Sequence, residues 1–315
     1  MHSEWWAERS AMIPDEIAVY LKPSGKMLDL EVEYEDARYV VFGVPYDLTS
    51  SFRFGSRFAP RAVREASAYI EIYSTRARLD ASELKIADLG DLASVYGLPT
   101  MLRRVKAVAA RIARDGKIPV MIGGEHTFTY GAVEAFGKDT ALVSFDAHLD
   151  LRSEYLGDAW SHATFMRRIV ERIGPKEIVI VGPRAFIPEE RRFAQQKGVG
   201  LVYAWEIVSD PEGSKRRLLE GLSSAQKIYL TLDMDVLDIP FAPGVGNPEP
   251  EGINSTQLYD LLSAISDRRL VGFDIAEVCP PYDQGQAAVH AAKALVEVLT
   301  HLEISTSRSV GDPAE

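Results

Sequence analysis

Residues 141–150, Ala141-Leu142-Val143-Ser144-Phe145-Asp146-Ala147-His148-Leu149-Asp150, decide the fold. A short, mostly apolar run leads straight into three side chains of metal-ligand type at every second position. Side chains alternate along an extended segment, so this spacing predicts that Asp146, His148 and Asp150 converge on one side just past the end of a strand. Open α/β sheets keep their ligand sites at the carboxyl ends of strands.

The same rhythm repeats outward from this segment. Apolar runs rich in branched residues at Tyr39 to Val44, Pro119 to Ile122, Ile178 to Val181, Leu201 to Tyr203, Ile228 to Leu232 and Val271 to Ile275 read as further strands. Between them lie helical patterns, such as Leu102, Val105, Val108, Ala109 and Ile112 within 100–114. Asn254 or Ser255 is a candidate cap for the helix through Leu262, and Leu295 to Leu302 closes a last amphipathic helix. Strands this uniformly hydrophobic belong to a parallel sheet covered on both faces, so the fold class is α/β. No repeat or Pro/Gly/Ser linker divides the 315 residues. One domain spanning 1–315 is expected, with surface arms at about 1–30 and 305–315.

Two other strand ends carry the same kind of side chain. Asp233-Met234-Asp235 follows Ile228 to Leu232, and Gly123-Gly124-Glu125-His126 follows Pro119 to Ile122, where the glycines would let the backbone turn and present His126 inward. The candidate ligands are therefore His126, Asp146, His148, Asp150, Asp233 and Asp235. An isolated Asp-x-His-x-Asp run is common by chance; three such elements at strand ends are not. Four carboxylates and two imidazoles exceed the needs of one small cation but suit two bridged ions, about 3.5 to 4 Å apart. Oxygen-rich ligation with some imidazole favours manganese and leaves nickel, cobalt or zinc open. The single cysteine, Cys279, excludes both a disulfide framework and a Cys-rich zinc site.

Charge and length narrow the class further. A net charge of −11 disfavours nucleic-acid backbones and suits a small cationic molecule. The N-terminal stretch has no apolar run long enough for a signal peptide or a membrane span, so a cytoplasmic protein with no membrane partner is expected.

These residues resemble the ureohydrolase family of arginases, agmatinases and their relatives. The GGEH, DAHLD and TLDMDVLD segments stand in the family's order, and the likeness runs from about Phe42 to Asp283. It includes the segments Gly43 to Asp47, Phe54 to Arg61 and Pro243 to Gly246. The resemblance implies a three-layer α/β/α fold, two Mn2+ per chain and assembly into homotrimers or homohexamers. By the same resemblance, His126, Asp146, Asp150 and Asp233 hold one ion and Asp146, His148, Asp233 and Asp235 the other, with Asp146 and Asp233 bridging. Glu277 matches the glutamate that receives the guanidinium, a planar fork suited to a carboxylate. His162 matches a histidine at the site mouth. Cys279 departs from the family's Glu-Val-Asn-Pro pattern, two residues from Glu277.

A guanidinium carbon is a poor electrophile, and a two-metal site answers this by activating water. In the expected reaction Glu277 orients the guanidinium, Asp150 passes a proton to the departing amine, and His162 shuttles protons or contacts substrate. Arginases carry an asparagine two residues beyond the DAHxD run, where this chain has Arg152. The segment from Leu151 to Gly157 looks instead like agmatinases, with Glu154 or Asp158 near the free amine. The expected activity is release of urea and putrescine from agmatine, a step of polyamine biosynthesis. Aminopropylagmatine and guanidinobutyrate are alternatives, and arginine less so. Two other classes compete: a metal-binding pseudoenzyme, and a deacetylase-like amide hydrolase with one zinc. A count of metal per chain separates them.

Overall fold

The computed structural model describes residues 13–93 and 96–307. Nine strands form one sheet: β1 (Leu21–Lys22), β2 (Tyr39–Val44), β3 (Ile86–Leu92), β4 (Ile118–Gly123), β5 (Ala141–Phe145), β6 (Ile178–Val181), β7 (Gly200–Val202), β8 (Ile228–Asp233) and β9 (Leu270–Ala276). Their spatial order is β1-β3-β2-β4-β9-β8-β5-β6-β7. Every neighbouring pair is parallel except the edge pair β1 and β3.

The apolar runs become strands because both faces have something to bury. Along β2, Tyr39 and Val41 enter one apolar cluster while Val40, Phe42 and Val44 enter the other. Helices Ala59–Ser67, Ser255–Ile265 and Gln286–Ser307 cover the first face, and Leu98–Arg114, Thr129–Phe136 and Pro188–Lys197 the second. The result is the expected three-layer α/β/α arrangement around a mainly parallel sheet. Asn254 caps its helix by accepting from the Gln257 N–H at 2.9 Å, and the Gln257 side chain returns to the Asn254 N–H.

Two parts differ from expectation. Strand β3, Ile-Ala-Asp-Leu-Gly-Asp-Leu, is not recognisable as a run because Asp88 and Asp91 interrupt it. Both are buried, and Arg64 makes that possible: its guanidinium donates to Asp88 at 2.7 and 2.8 Å and to Asp91 at 2.6 Å. The N-terminal arm, expected at the surface, is partly docked over its described residues, with Val19 exposed but several apolar side chains turned inward. Ile13, Ile17, Leu21, Met27 and Leu28 are buried, and β1 extends the sheet, so enough apolar surface is present there to dock the chain. At the other end the last helix continues to Ser307; residues 1–12 and 308–315 lie outside the described residues. No described helix is long and apolar enough to cross a membrane.

Candidate metal centre

Four neighbouring strands, β4, β9, β8 and β5, deliver the chemistry from their carboxyl ends: His126, Glu277, Asp233 with Asp235, and Asp146 with His148 and Asp150. Two donor groups result, each compact enough for one cation. His126, Asp146 and Asp150 offer ligand atoms within 4.8 Å of one another, as do Asp146, His148 and Asp235. Asp146 is common to both. Asp233 adjoins the first group, with Oδ2 at 3.2 Å from His126 Nδ1.

Local geometry achieves this by turns rather than by continued extension. The Asp146 carboxylate accepts from the His148 N–H at 2.6 Å, and Asp233 accepts from the Asp235 N–H at 2.9 Å, so each pair folds back on itself. Asp150 arrives through a left-handed backbone (φ 51°), and Glu277 does likewise (φ 62°). Non-glycine residues held there carry backbone strain, which clusters at functional sites. The paired glycines act by close approach, since neither has positive φ. A Cβ on Gly124 would overlap the Tyr46 carbonyl oxygen.

His126 shows best that the donor set fits a cation. Thr231 gives its hydroxyl proton to Asp274 at 2.5 Å, so Thr231 Oγ1 accepts from His126 Nε2 at 2.7 Å. That fixes the tautomer, and the lone pair is left on Nδ1. Nδ1 is buried without a hydrogen-bond partner and faces the Asp146 carboxylate at 3.1 Å and that of Asp233 at 3.2 Å. His148 Nδ1 similarly lies 2.9 Å from Asp235. Electrostatics agree. Burial and the adjacent Asp146 push Asp150 well above the ordinary carboxylate range, and burial with Asp235 and Asp146 does the same to Asp233. Burial opposes charge on His126 and His148, but their Asp partners raise both well above the usual imidazole value. The common cause is negative charge gathered in a buried place, which a bound cation would offset.

Thr231 and Asp274 escaped the sequence reading. They are register partners on β8 and β9, and Asp274 also accepts from Tyr229 and Thr129. Three polar side chains inside two otherwise apolar strands were the available signal.

The cluster floors a cavity of about 330 Å³ whose lining also includes Glu277, His162, Arg152, Tyr155, Glu190 and Glu249. Glu277 Oε1 accepts from the His126 N–H at 2.8 Å, and burial lifts its pKa to about 8. A Cβ on Gly246 would stand 2.7 Å from the other carboxylate oxygen, so that glycine keeps Oε2 open. His162 is held neutral by burial, its pKa lowered to about 4. Arg152 stands 3.7 Å from Glu190, whose carboxylate also accepts from the Leu151 and Ile187 N–H groups.

Glu154 is not brought to the cavity. It is exposed, because the turn after Arg152 points the next inward side chain from Tyr155. Asp158 is exposed too. Glu190, which is buried, and Glu249, which is partly exposed at the rim, are the lining carboxylates the sequence did not single out. Cys279 is fully buried beside Gly55 rather than in the cavity lining.

Residues 37–301 match the sequence model of the arginase family. An agmatinase of Halalkalibacterium halodurans is 35% identical over 280 residues, 87% of this chain and 95% of that protein. The N(1)-aminopropylagmatine ureohydrolase of Thermococcus kodakarensis is 38% identical over 84% of this chain and 90% of its own length. The crystal structure of the agmatine ureohydrolase of Thermoplasma volcanium superposes with a TM-score of 0.81 at 35% identity, covering 96% of this chain and 98% of that one. Fold, strand-end chemistry and these likenesses agree, and the chain belongs to the arginase family, as a hydrolase of the C–N bonds of amidines.

Proposed function

We propose that this chain releases urea from agmatine, using two Mn2+ ions held by His126, Asp146, Asp150 and Asp233 on one side and by Asp146, His148, Asp233 and Asp235 on the other. The observation that carries the substrate choice is the charge of the cavity wall. Glu190, Glu249 and Glu277 line it together with Asp150, Asp233 and Asp235, whereas Arg152 is the one Lys or Arg among the described lining residues and faces Glu190. A paired arginine is a poor receptor for an α-carboxylate. Glu249, whose carboxylate meets only His148 Nε2 among the described cationic groups, at 3.9 Å, suits a cationic tail.

Bound divalent ions supply Lewis acidity: they acidify water and neutralise the clustered carboxylates. The protein's own groups do the rest. Glu277 Oε2 accepts the guanidinium N–H donors, and the cation's arrival favours the ionised form that burial disfavours. Asp150 carries a proton to the departing amine, and neutral His162 relays protons at the cavity mouth. Glu249 receives the far amine, the role expected of Glu154 or Asp158.

Aminopropylagmatine is the second reading, because it would meet the same wall and because one relative is named for it. The deciding experiment measures urea from agmatine, aminopropylagmatine, guanidinobutyrate and arginine with the manganese-loaded enzyme, alongside metal per chain. Highest kcat/KM on agmatine with about two manganese supports the proposal; a preference for arginine or guanidinobutyrate overturns it. The expected trimeric or hexameric assembly is tested by light scattering on the same sample.

A further inference from the structure

The GGEH segment places more than His126. Its Gly124 and Glu125 N–H groups donate to the Val44 and Tyr46 carbonyls, both at 2.8 Å, zipping it to the chain leaving β2. The Glu125 side chain then reaches further along that chain. It is fully buried and accepts from the Thr49 N–H at 2.6 Å, the Thr49 hydroxyl at 2.7 Å and the Thr127 hydroxyl at 2.7 Å. Three donors on one buried carboxylate make a rigid clasp.

Thr49 passes the constraint on. With its proton given to Glu125, Thr49 Oγ1 can only accept. It accepts from the His162 N–H at 2.9 Å, and His162 Nδ1 lies 3.4 Å away. Nδ1 must therefore carry the ring proton in that contact, and Nε2 keeps its lone pair, 3.1 Å from Ser51 Oγ at the cavity. We infer that Glu125 and Thr49 are positioning residues for the reaction: they set the place and tautomer of His162, so that Nε2 is the nitrogen that receives a proton. Neither touches substrate or the metal cluster's donor atoms. The inference rests on the hydrolase reading of the site, not on agmatine in particular.

The test is a double-mutant cycle on the manganese-loaded full chain, with whichever amidine the wild-type enzyme turns over fastest. Thr49→Val is expected to lower kcat about tenfold or more with KM and metal content nearly unchanged, because misplacing a proton-transfer group costs rate rather than binding. Thr49→Ser, which keeps the hydroxyl, should restore most of kcat. In a His162→Ala background, Thr49→Val should cost nothing further. Equal losses in both backgrounds, failure of Thr49→Ser to rescue, or a loss of bound manganese in Thr49→Val would each overturn the inference. Glu125→Gln serves as a second probe and should follow Thr49→Val, including its silence without His162. A preference for some substrate other than agmatine would remove the substrate assignment and leave this result readable.

Discussion

The floor of the cavity and its wall are built in opposite ways. On the floor, each donor sits within a few residues of a strand end, and the parallel sheet sets the spacing between strands. Around the wall, Arg152 and His162 come from the long connection after β5, Glu190 from the first turn of the helix Pro188–Lys197 and Glu249 from the connection after β8, held by contacts such as Thr49 to His162 and Glu190 to Leu151. A rigid floor can hold reactive groups in fixed geometry, while connecting segments can vary the tail that is accepted. Changes on the floor should therefore abolish the reaction, and changes on the wall should redirect or slow it.

Asp146→Asn is the sharpest way to test the first half. Asp146 belongs to both donor groups, so its loss should remove manganese as well as activity, by at least about a thousandfold in kcat/KM. Manganese by elemental analysis, read beside urea release, decides it: near-normal turnover with one ion per chain would break the two-ion floor. Glu277→Gln should keep both ions and lose about 3 kcal/mol, roughly 100-fold, in kcat/KM, since it removes the buried charge that meets the guanidinium. Loss of metal instead would make Glu277 part of the cluster rather than the substrate's partner.

Support beneath the floor should matter less than the floor itself. Asp274→Asn disturbs the acceptor of Thr231, and with it the group that fixes the tautomer of His126. About a 10- to 100-fold weaker manganese affinity is expected, with kcat recovering at saturating metal. A kcat that stays low under saturation would assign Asp274 to the chemistry itself.

Legibility in the sequence follows the same division. Asp146, His148, Asp233 and Asp235 could be picked out because a ligand type repeats directly after an apolar run, a local signal. How they converge was not readable, because it depends on carboxylate-to-N–H turns and on the left-handed backbone at Asp150 and Glu277. Strand β3 was missed because its two aspartates look like a loop until Arg64, 24 residues upstream of Asp88, is known to face them. Glu154 and Asp158 lie close to the DAHLD run in sequence, whereas nothing local marks Glu190 and Glu249 as cavity residues. The wall is assembled across distances of 39 residues between Glu190 and Leu151 and 76 between Glu125 and Thr49. Periodicity carries no information about such pairs.

Glu249→Gln is the mildest test and the one that separates wall from floor most cleanly. Its side chain is about 40% exposed, so an ion pair with the tail's ammonium is partly screened and should contribute no more than about 1 kcal/mol. That predicts a roughly fivefold rise in KM for agmatine at unchanged kcat, because an interaction made equally before and during reaction affects binding alone. An uncharged alkylguanidine has no ammonium to lose, so its KM should not move. Glu249 also lies 3.9 Å from His148, which gives it a competing role in orienting a donor of the floor. In that case kcat and manganese affinity would fall for both substrates alike, and Glu249 would belong to the floor despite its position at the rim.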